Sequence, residues 1–196
     1  MAADKWLIVG LGNPGSVYSH NRHNVGYWCV NRLARLHGIA LKARRLYAIG
    51  EGSIRGTPVL LAKPRTFMNR SGQAVAALLR SFKVQRSRVL VVCDDLDLPT
   101  GALRLKAGGG AGGQKGIASI IGALGGQDFP RLRIGIGRPA VNGEPTWNPD
   151  AVAAYVLSDP TPEEAKALQA AVAQAAEAAE TLLGEGLEPA MNRYNR

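Results

Sequence analysis

The sequence predicts an α/β fold, a single domain over residues 1–196 with a twisted, mixed central β-sheet flanked by helices. Three observations predict it. Short apolar runs such as Trp6 to Gly10 and Arg88 to Cys93 have strand length and little alternation, as strands buried on both faces do. Between them lie stretches with apolar residues at helical spacing. No linker interrupts the 196 residues, a length that one core can serve. Strands mixed with helices along one chain pack as a sheet covered by helices.

Lys5 to Gly10 reads as the first strand, short, apolar and closed by glycine. Asn24 to His37 reads as a helix with Val25, Trp28, Cys29, Leu33 and Leu36 on one face. Residues 45–63 hold two extended runs around Gly56-Thr57-Pro58, a hairpin pattern. Ser71 to Phe82 is a second helix, with Val75, Leu78, Leu79 and Phe82 inward. Arg88 to Cys93 is the clearest buried strand, and Ala102 to Lys106 alternates like a half-exposed one. A glycine-rich loop then leads into a short helix from Gly116 to Leu124, followed by a strand from Arg131 to Ile136. Residues 138–149, with Pro139, Gly143, Pro145 and Pro149, read as a loop. Thr161-Pro162-Glu163-Glu164 is a capping box with proline at the first helical position. The Ala-rich helix after it runs to about Leu183, with Leu168, Val172, Ala175, Ala179 and Leu182 on one stripe.

Composition narrows the function classes. Hydrophobic residues make up 46%, which excludes a disordered chain. No apolar run approaches the ~18 residues of a membrane span, and the first one is too short for a signal-peptide core. Two cysteines, Cys29 and Cys93, both in apolar stretches, point to a reducing compartment and a cytoplasmic protein. The charge is uneven. Residues 1–138 hold 21 Lys/Arg against 6 Asp/Glu, whereas residues 139–196 hold 3 against 9. Seventeen of the 24 basic residues are Arg, which suits bidentate phosphate contact. Such a body fits a polyanionic partner, most simply a nucleic acid, or else a solvated basic surface.

Several motifs carry candidate chemistry. Gly10-Leu11-Gly12-Asn13-Pro14-Gly15 follows a strand and matches G-x-G-x-x-G. A dinucleotide site would need an acid about 20 residues on, and none lies between Asp4 and Glu51. A loop that aims Asn13 into a cleft fits better. His20 and His23 lie three apart at a helix start. Without a nearby carboxylate in sequence, a general-base histidine suits them better than a metal pair. Asp94, Asp95 and Asp97 follow the central strand, where α/β sites gather, and an aspartate there can orient a histidine. Asn69 sits at a helix start, either as its cap or with its amide free for a water or a carbonyl. Gly108 to Gly116 is a chain of free N–H groups leading into a helix, with Lys106 and Lys115 beside it. It can hold an anion or act as a mobile gate.

Four blocks together resemble the bacterial-type peptidyl-tRNA hydrolase family. They are VGLGNPG with SHNRHNVG, KPRTFMNRSGQAV, DDLDLPTG, and GGGAGGQKG with FPRLRIGIGRP. The resemblance runs in order over about residues 5 to 195. It implies an enzyme that cleaves the ester between peptide and tRNA, recycling prematurely released peptidyl-tRNA. It implies no metal, no cofactor, no membrane and a monomeric chain. By position, His23 matches the family's catalytic histidine and Asp94 its supporting carboxylate. Asn13 and Asn69 match the site asparagines, and Tyr18 and Met68 match walls of the substrate cleft. Arg104, Lys106 and Arg133 match basic positions linked to tRNA binding. The sequence departs from the family pattern at one loop. The family's G-G-H-N-G is here Gly112-Gly113-Gln114-Lys115-Gly116, so Gln114 and Lys115 stand at the substrate clamp. Lysine donates hydrogen bonds but accepts none. The competing expectation is a non-catalytic RNA-binding module, like a plastid splicing cofactor that resembles the same family.

Overall fold

A computed structural model describes residues 5–195. Its main strands are β1 (Trp6–Gly10), β2 (Lys42–Ala43), β3 (Tyr47–Ile54), β4 (Thr57–Pro64), β5 (Val89–Asp95), β6 (Leu103–Lys106) and β7 (Arg131–Gly135). They form one mixed sheet in the order β2-β3-β4-β1-β5-β7-β6. The four central strands run parallel, and β3 and β6 pair antiparallel at their flanks.

The central strands are apolar on both sides because each feeds two cores. In β1, Ile8 packs into one cluster, and Leu7 and Val9 into the other. β5 divides the same way, with Leu90 and Val92 on one face and Val89, Val91 and Cys93 on the opposite face. Helices α1 (Val25–Leu36), α5 (Pro162–Glu185) and α6 (Leu187–Tyr194) cover the first face. α2 (Ser71–Phe82) and α3 (Lys115–Leu124) cover the second, and α4 (Pro149–Val156) stands at the edge of the first. Among the described residues no helix is long and apolar enough to cross a membrane.

The start of α1 presses against the sheet. A Cβ on Gly10 would lie 2.1 Å from the Gly26 carbonyl oxygen, and one on Gly26 would lie 2.4 Å from that of Val92. Only glycine fits at such a backbone crossing. The crossing holds the one-turn 3-10 segment Arg22–Asn24 over the carboxyl ends of β1 and β5.

Several local expectations change. Leu36 is 54% exposed rather than inward. The chain reverses at Gly38, which has a positive φ, and Ile39 fills the core in its place. The β3–β4 turn is Arg55-Gly56, both at positive φ as a two-residue hairpin needs, so Thr57 and Pro58 belong to β4. Residues 138–149 are more than a loop. Asn142-Gly143, again both at positive φ, joins the short strands β8 (Ala140–Val141) and β9 (Glu144–Pro145). α4 and α6 lie in stretches for which no helix was predicted. The Asn148 side chain caps α4 by accepting from the Asp150 and Ala151 N–H groups. The capping box of α5 forms as predicted, with Thr161 and Glu164 bonding reciprocally.

Candidate active site

β5 ends in Asp94 and Asp95, and the period of two turns them to opposite faces. Asp94 meets the Arg22–Asn24 turn. Asp95 meets β7, where its Oδ2 lies 3.0 Å from Arg133 Nε. His23 sits between two anchored neighbours. The buried Arg22 guanidinium lies 2.5 Å from Glu164 Oε2, donates to Ser158 Oγ at 2.6 Å, and stands 4.2 Å from the Tyr155 ring centroid. Asn24 Oδ1 accepts from the Asn13 N–H at 2.9 Å, and its Nδ2 donates back to the Asn13 carbonyl at 3.0 Å.

The imidazole between them contacts Asp94, with His23 Nδ1 at 2.7 Å from Oδ2. The carboxylate selects the tautomer protonated at Nδ1 and leaves Nε2 as the base. Burial is the largest influence on this ring and lowers its pKa. The Asp94 charge and hydrogen bond outweigh burial, and the nearby Lys115 opposes them, so the pKa is raised above the ordinary imidazole value.

The other Asp94 oxygen is also occupied. Gln114 Nε2 donates to Oδ1 at 3.0 Å and lies 3.3 Å from Met68 Sδ. At its far end, Gln114 Oε1 accepts from the Ile117 N–H at 2.8 Å and so caps α3. The sequence reading assigns Gln114 to substrate binding at the clamp. It lines the cleft, but it is buried and both polar ends of its side chain are used within the protein.

Asn13 Oδ1 accepts from the Met68 N–H at 2.8 Å, which turns its NH2 group to the cleft. Asn69 does not cap α2. The cap position is Arg70, without a side-chain bond, and Asn69 stays exposed at the cleft. Tyr18 and Phe67 form one wall through an edge-to-face contact, with ring centroids 6.3 Å apart. Met68 is buried beneath them. Lys115 stands exposed on the rim at the first residue of α3, after the left-handed pair Gly112-Gly113. The exposed Trp147 and Leu157 complete the far side of a cavity of about 650 Å³. His23, Asp94, Asn13, Asn69, Tyr18, Met68, Gln114, Lys115 and Arg133 thus share one cleft.

The basic residues separate into different environments. Arg104 and Lys106 project outward from β6 and are exposed. Arg133 is mostly covered and paired to Asp95. Arg131, opposite Lys106 in the ladder, is buried and donates to the carbonyls of Gly110 and Gln127, which braces the glycine loop. His20 faces a separate groove beside Trp28 and Asp159, apart from His23. Among the described residues no group of three or more His, Cys, Asp or Glu is placed to hold a metal. Both cysteines are free and buried, and burial pushes the Cys29 thiol up to about 12.

Sequence reasoning missed the structural roles of Arg22, Asn24 and Arg131. The only hint was their company, since Arg22 and Asn24 bracket the histidine selected on chemical grounds. The partners of Arg22 lie far away along the chain, Glu164 being 142 residues from it.

Comparison with known proteins places this geometry. The profile of the Peptidyl-tRNA hydrolase family matches residues 7–196. A peptidyl-tRNA hydrolase of Chloroflexus aggregans is 52% identical over 192 residues, covering 97% of this chain and 98% of its own. One from Desulforudis audaxviator is 47% identical over 96% of this chain and 92% of its own. Among solved structures, the peptidyl-tRNA hydrolase of Acinetobacter baumannii superposes with a TM-score of 0.89 at 39% identity, covering 100% of this chain and 96% of that one.

Proposed function

The chain belongs to the peptidyl-tRNA hydrolase family, and on that premise we propose that it hydrolyses the ester joining peptide to tRNA in peptidyl-tRNA, with His23 as general base and Asp94 orienting it. The observation that carries this reading is the 2.7 Å contact between His23 Nδ1 and Asp94, which leaves Nε2 free in a cleft flanked by two amides. The reading takes residues 1–196 as one domain acting as a monomer on a polyanionic substrate. One sheet carrying both core clusters supports the single domain.

In this mechanism a water held partly by Asn69 gives a proton to His23 Nε2 as its oxygen attacks the ester carbonyl. Asn13 donates from its NH2 near that carbonyl, where negative charge develops. The tetrahedral intermediate collapses by breaking the bond to the 3′-oxygen of the terminal adenosine. That oxygen takes the proton back from Nε2, and peptide and tRNA leave with the base regenerated. Asp94 stabilises the imidazolium that exists between the two transfers. An ester is more reactive than an amide, so positioning and base catalysis suffice. Tyr18, Met68 and Lys115 line the path of the substrate, and Arg104, Lys106 and Arg133 contribute charge toward the tRNA.

The test is release of peptide from a peptidyl-tRNA in the presence of EDTA, for wild type and His23→Ala side by side. Cleavage by wild type alone supports the assignment. Retention of turnover within about threefold by His23→Ala, roughly 0.7 kcal/mol of barrier, would remove His23 from the mechanism. Absence of cleavage by either, with tRNA still bound, would favour the RNA-binding module instead.

A further inference from the structure

Residues 5–93 hold 15 Lys/Arg and a single carboxylate, Glu51. Several of these cations are matched. Lys5 pairs with Glu51, Arg22 with Glu164, Arg86 with Asp128, and Arg55 lies 3.8 Å from Glu180. On the β5–β7 flank of the cleft the cations are matched as well, Arg133 by Asp95 and Arg138 by Asp97.

One corner of the sheet is not matched. Lys42 on β2, Arg44 and Arg45 in the turn to β3, and Arg65 just past β4 are all exposed. None of them makes an ion pair among the described residues. Their backbones gather at one corner. The Arg44 N–H donates to the Tyr47 carbonyl at 2.7 Å, the Arg65 N–H to that of Leu46 at 2.8 Å, and Arg65 Nη1 to that of Arg44 at 2.6 Å. The corner also borders the cleft. Arg65 is two residues before the cleft residue Phe67, so their Cα atoms lie within about 7 Å. From β3 to β6 the sheet order has five steps, or about 24 Å at the usual strand spacing, and β1 and β5 lie between them.

We infer that Lys42, Arg44, Arg45 and Arg65 form a second phosphate-binding surface for the RNA part of the substrate, on the flank of the cleft opposite Arg104 and Lys106. The inference rests on the peptidyl-tRNA reading. Clustered cations without carboxylates repel one another and condense counterions, and a phosphate backbone relieves both effects. Three of the four are arginines, whose planar forks match phosphate oxygens. RNA is the fitting occupant because every peptidyl-tRNA carries the same regularly spaced phosphates. A peptide carries acidic groups only where its own sequence has them.

The test uses acetyl-leucyl-tRNA, with the unaltered 196-residue chain and the triple variant Lys42→Ser, Arg44→Ser, Arg45→Ser. Arg65 is left in place because it also holds the turn. Binding is read by fluorescence anisotropy on the uncharged tRNA across a salt series, and cleavage is read in parallel on acetyl-leucyl-tRNA and on acetyl-leucyl-adenosine. The triple variant is expected to raise Kd about tenfold, to lower the salt slope by about 2 to 3, and to leave kcat and adenosine-ester cleavage unchanged. Arg45→Ser alone should lower the slope by about 0.7 to 0.9. An unchanged Kd and slope would make the corner a solvated surface and overturn the inference. An equal loss of cleavage on acetyl-leucyl-adenosine, which has no phosphate backbone, would overturn it too, in favour of a contact to the peptide end. Failure of the wild type to cleave would instead defeat the functional reading, while the anisotropy arm still scores the corner.

Discussion

Asn13 on the floor of the cleft and Asn69 on its rim carry the same amide and are used differently. Asn13 is buried, with its carbonyl oxygen committed to Met68 and its backbone committed to Asn24. Asn69 is exposed, and its side chain makes no hydrogen bond among the described residues. The contrast extends to the next pair of polar residues. Gln114 is bonded at both ends on the floor, and Lys115, one residue later, stands exposed on the rim. The floor is thus organised before substrate arrives, and the rim is left to adapt to it. Preorganised groups lose little freedom at the moment of reaction, so floor substitutions should act on the chemical step. Rim substitutions should act on binding or on the pH at which the base is ready.

The deepest test of that division is His23→Ala. It should lower kcat/KM on peptidyl-tRNA by about 10³-fold, close to 4 kcal/mol of barrier, with the Kd for tRNA nearly unchanged. A Kd that rises along with the lost turnover would mean the floor also binds the RNA.

Asp94→Asn should cost about 10²-fold and move the acid limb of the pH–rate profile downward. Its sign follows from the base form. His23 works neutral, its pKa is raised by Asp94, and removing that charge lets burial pull it down. The new amide has one oxygen for two donors, His23 Nδ1 and Gln114 Nε2, so orientation suffers as well. A limb that stays in place in a pH series of kcat/KM would separate Asp94 from the base.

Gln114→Leu should lower kcat about tenfold and destabilise the protein by about 1 kcal/mol, because one side chain both steadies Asp94 and caps α3. Denaturant unfolding and kcat measured together check both halves. Gln114→Glu, which keeps the capping oxygen but sets a second carboxylate against the buried Asp94, should recover neither the stability nor the rate at neutral pH.

The smallest effect is expected on the rim. Lys115→Ala should change the neutral-pH rate by no more than about threefold and should shift the acid limb to higher pH. The lysine charge opposes the imidazolium, so its removal raises the His23 pKa further. A pH profile superimposable on wild type would place Lys115 too far from the ring to matter.

Much of this was legible along the chain. The parallel strands follow from apolar runs that need cover on both faces, and the capping box at Thr161 is local chemistry read directly from four residues. His23, Asp94, Asn13 and Asn69 stood out because each follows or precedes a predicted element at the end where sites collect. The missed features were those whose signal is short or distant. α4 spans eight residues, and the 140–145 hairpin shows itself only by Asn142-Gly143. Leu36 had the right spacing for the core, but the chain turned at Gly38 and gave that place to Ile39.

By itself the sequence determined what depends on neighbours in the chain: the α/β alternation, the caps, the tight turns and the residue types available to the site. Only the tertiary structure decided which polar groups were spent and which were free. Arg133 and Gln114 were both open to substrate in the sequence. In the fold Arg133 still lines the cleft with its Nε paired to Asp95, and Gln114 is bonded to Asp94 and Ile117. The reason is physical. A hydrogen bond or ion pair depends on distances of about 3 Å, and those are set by which strands pair and where two glycines let a helix touch the sheet.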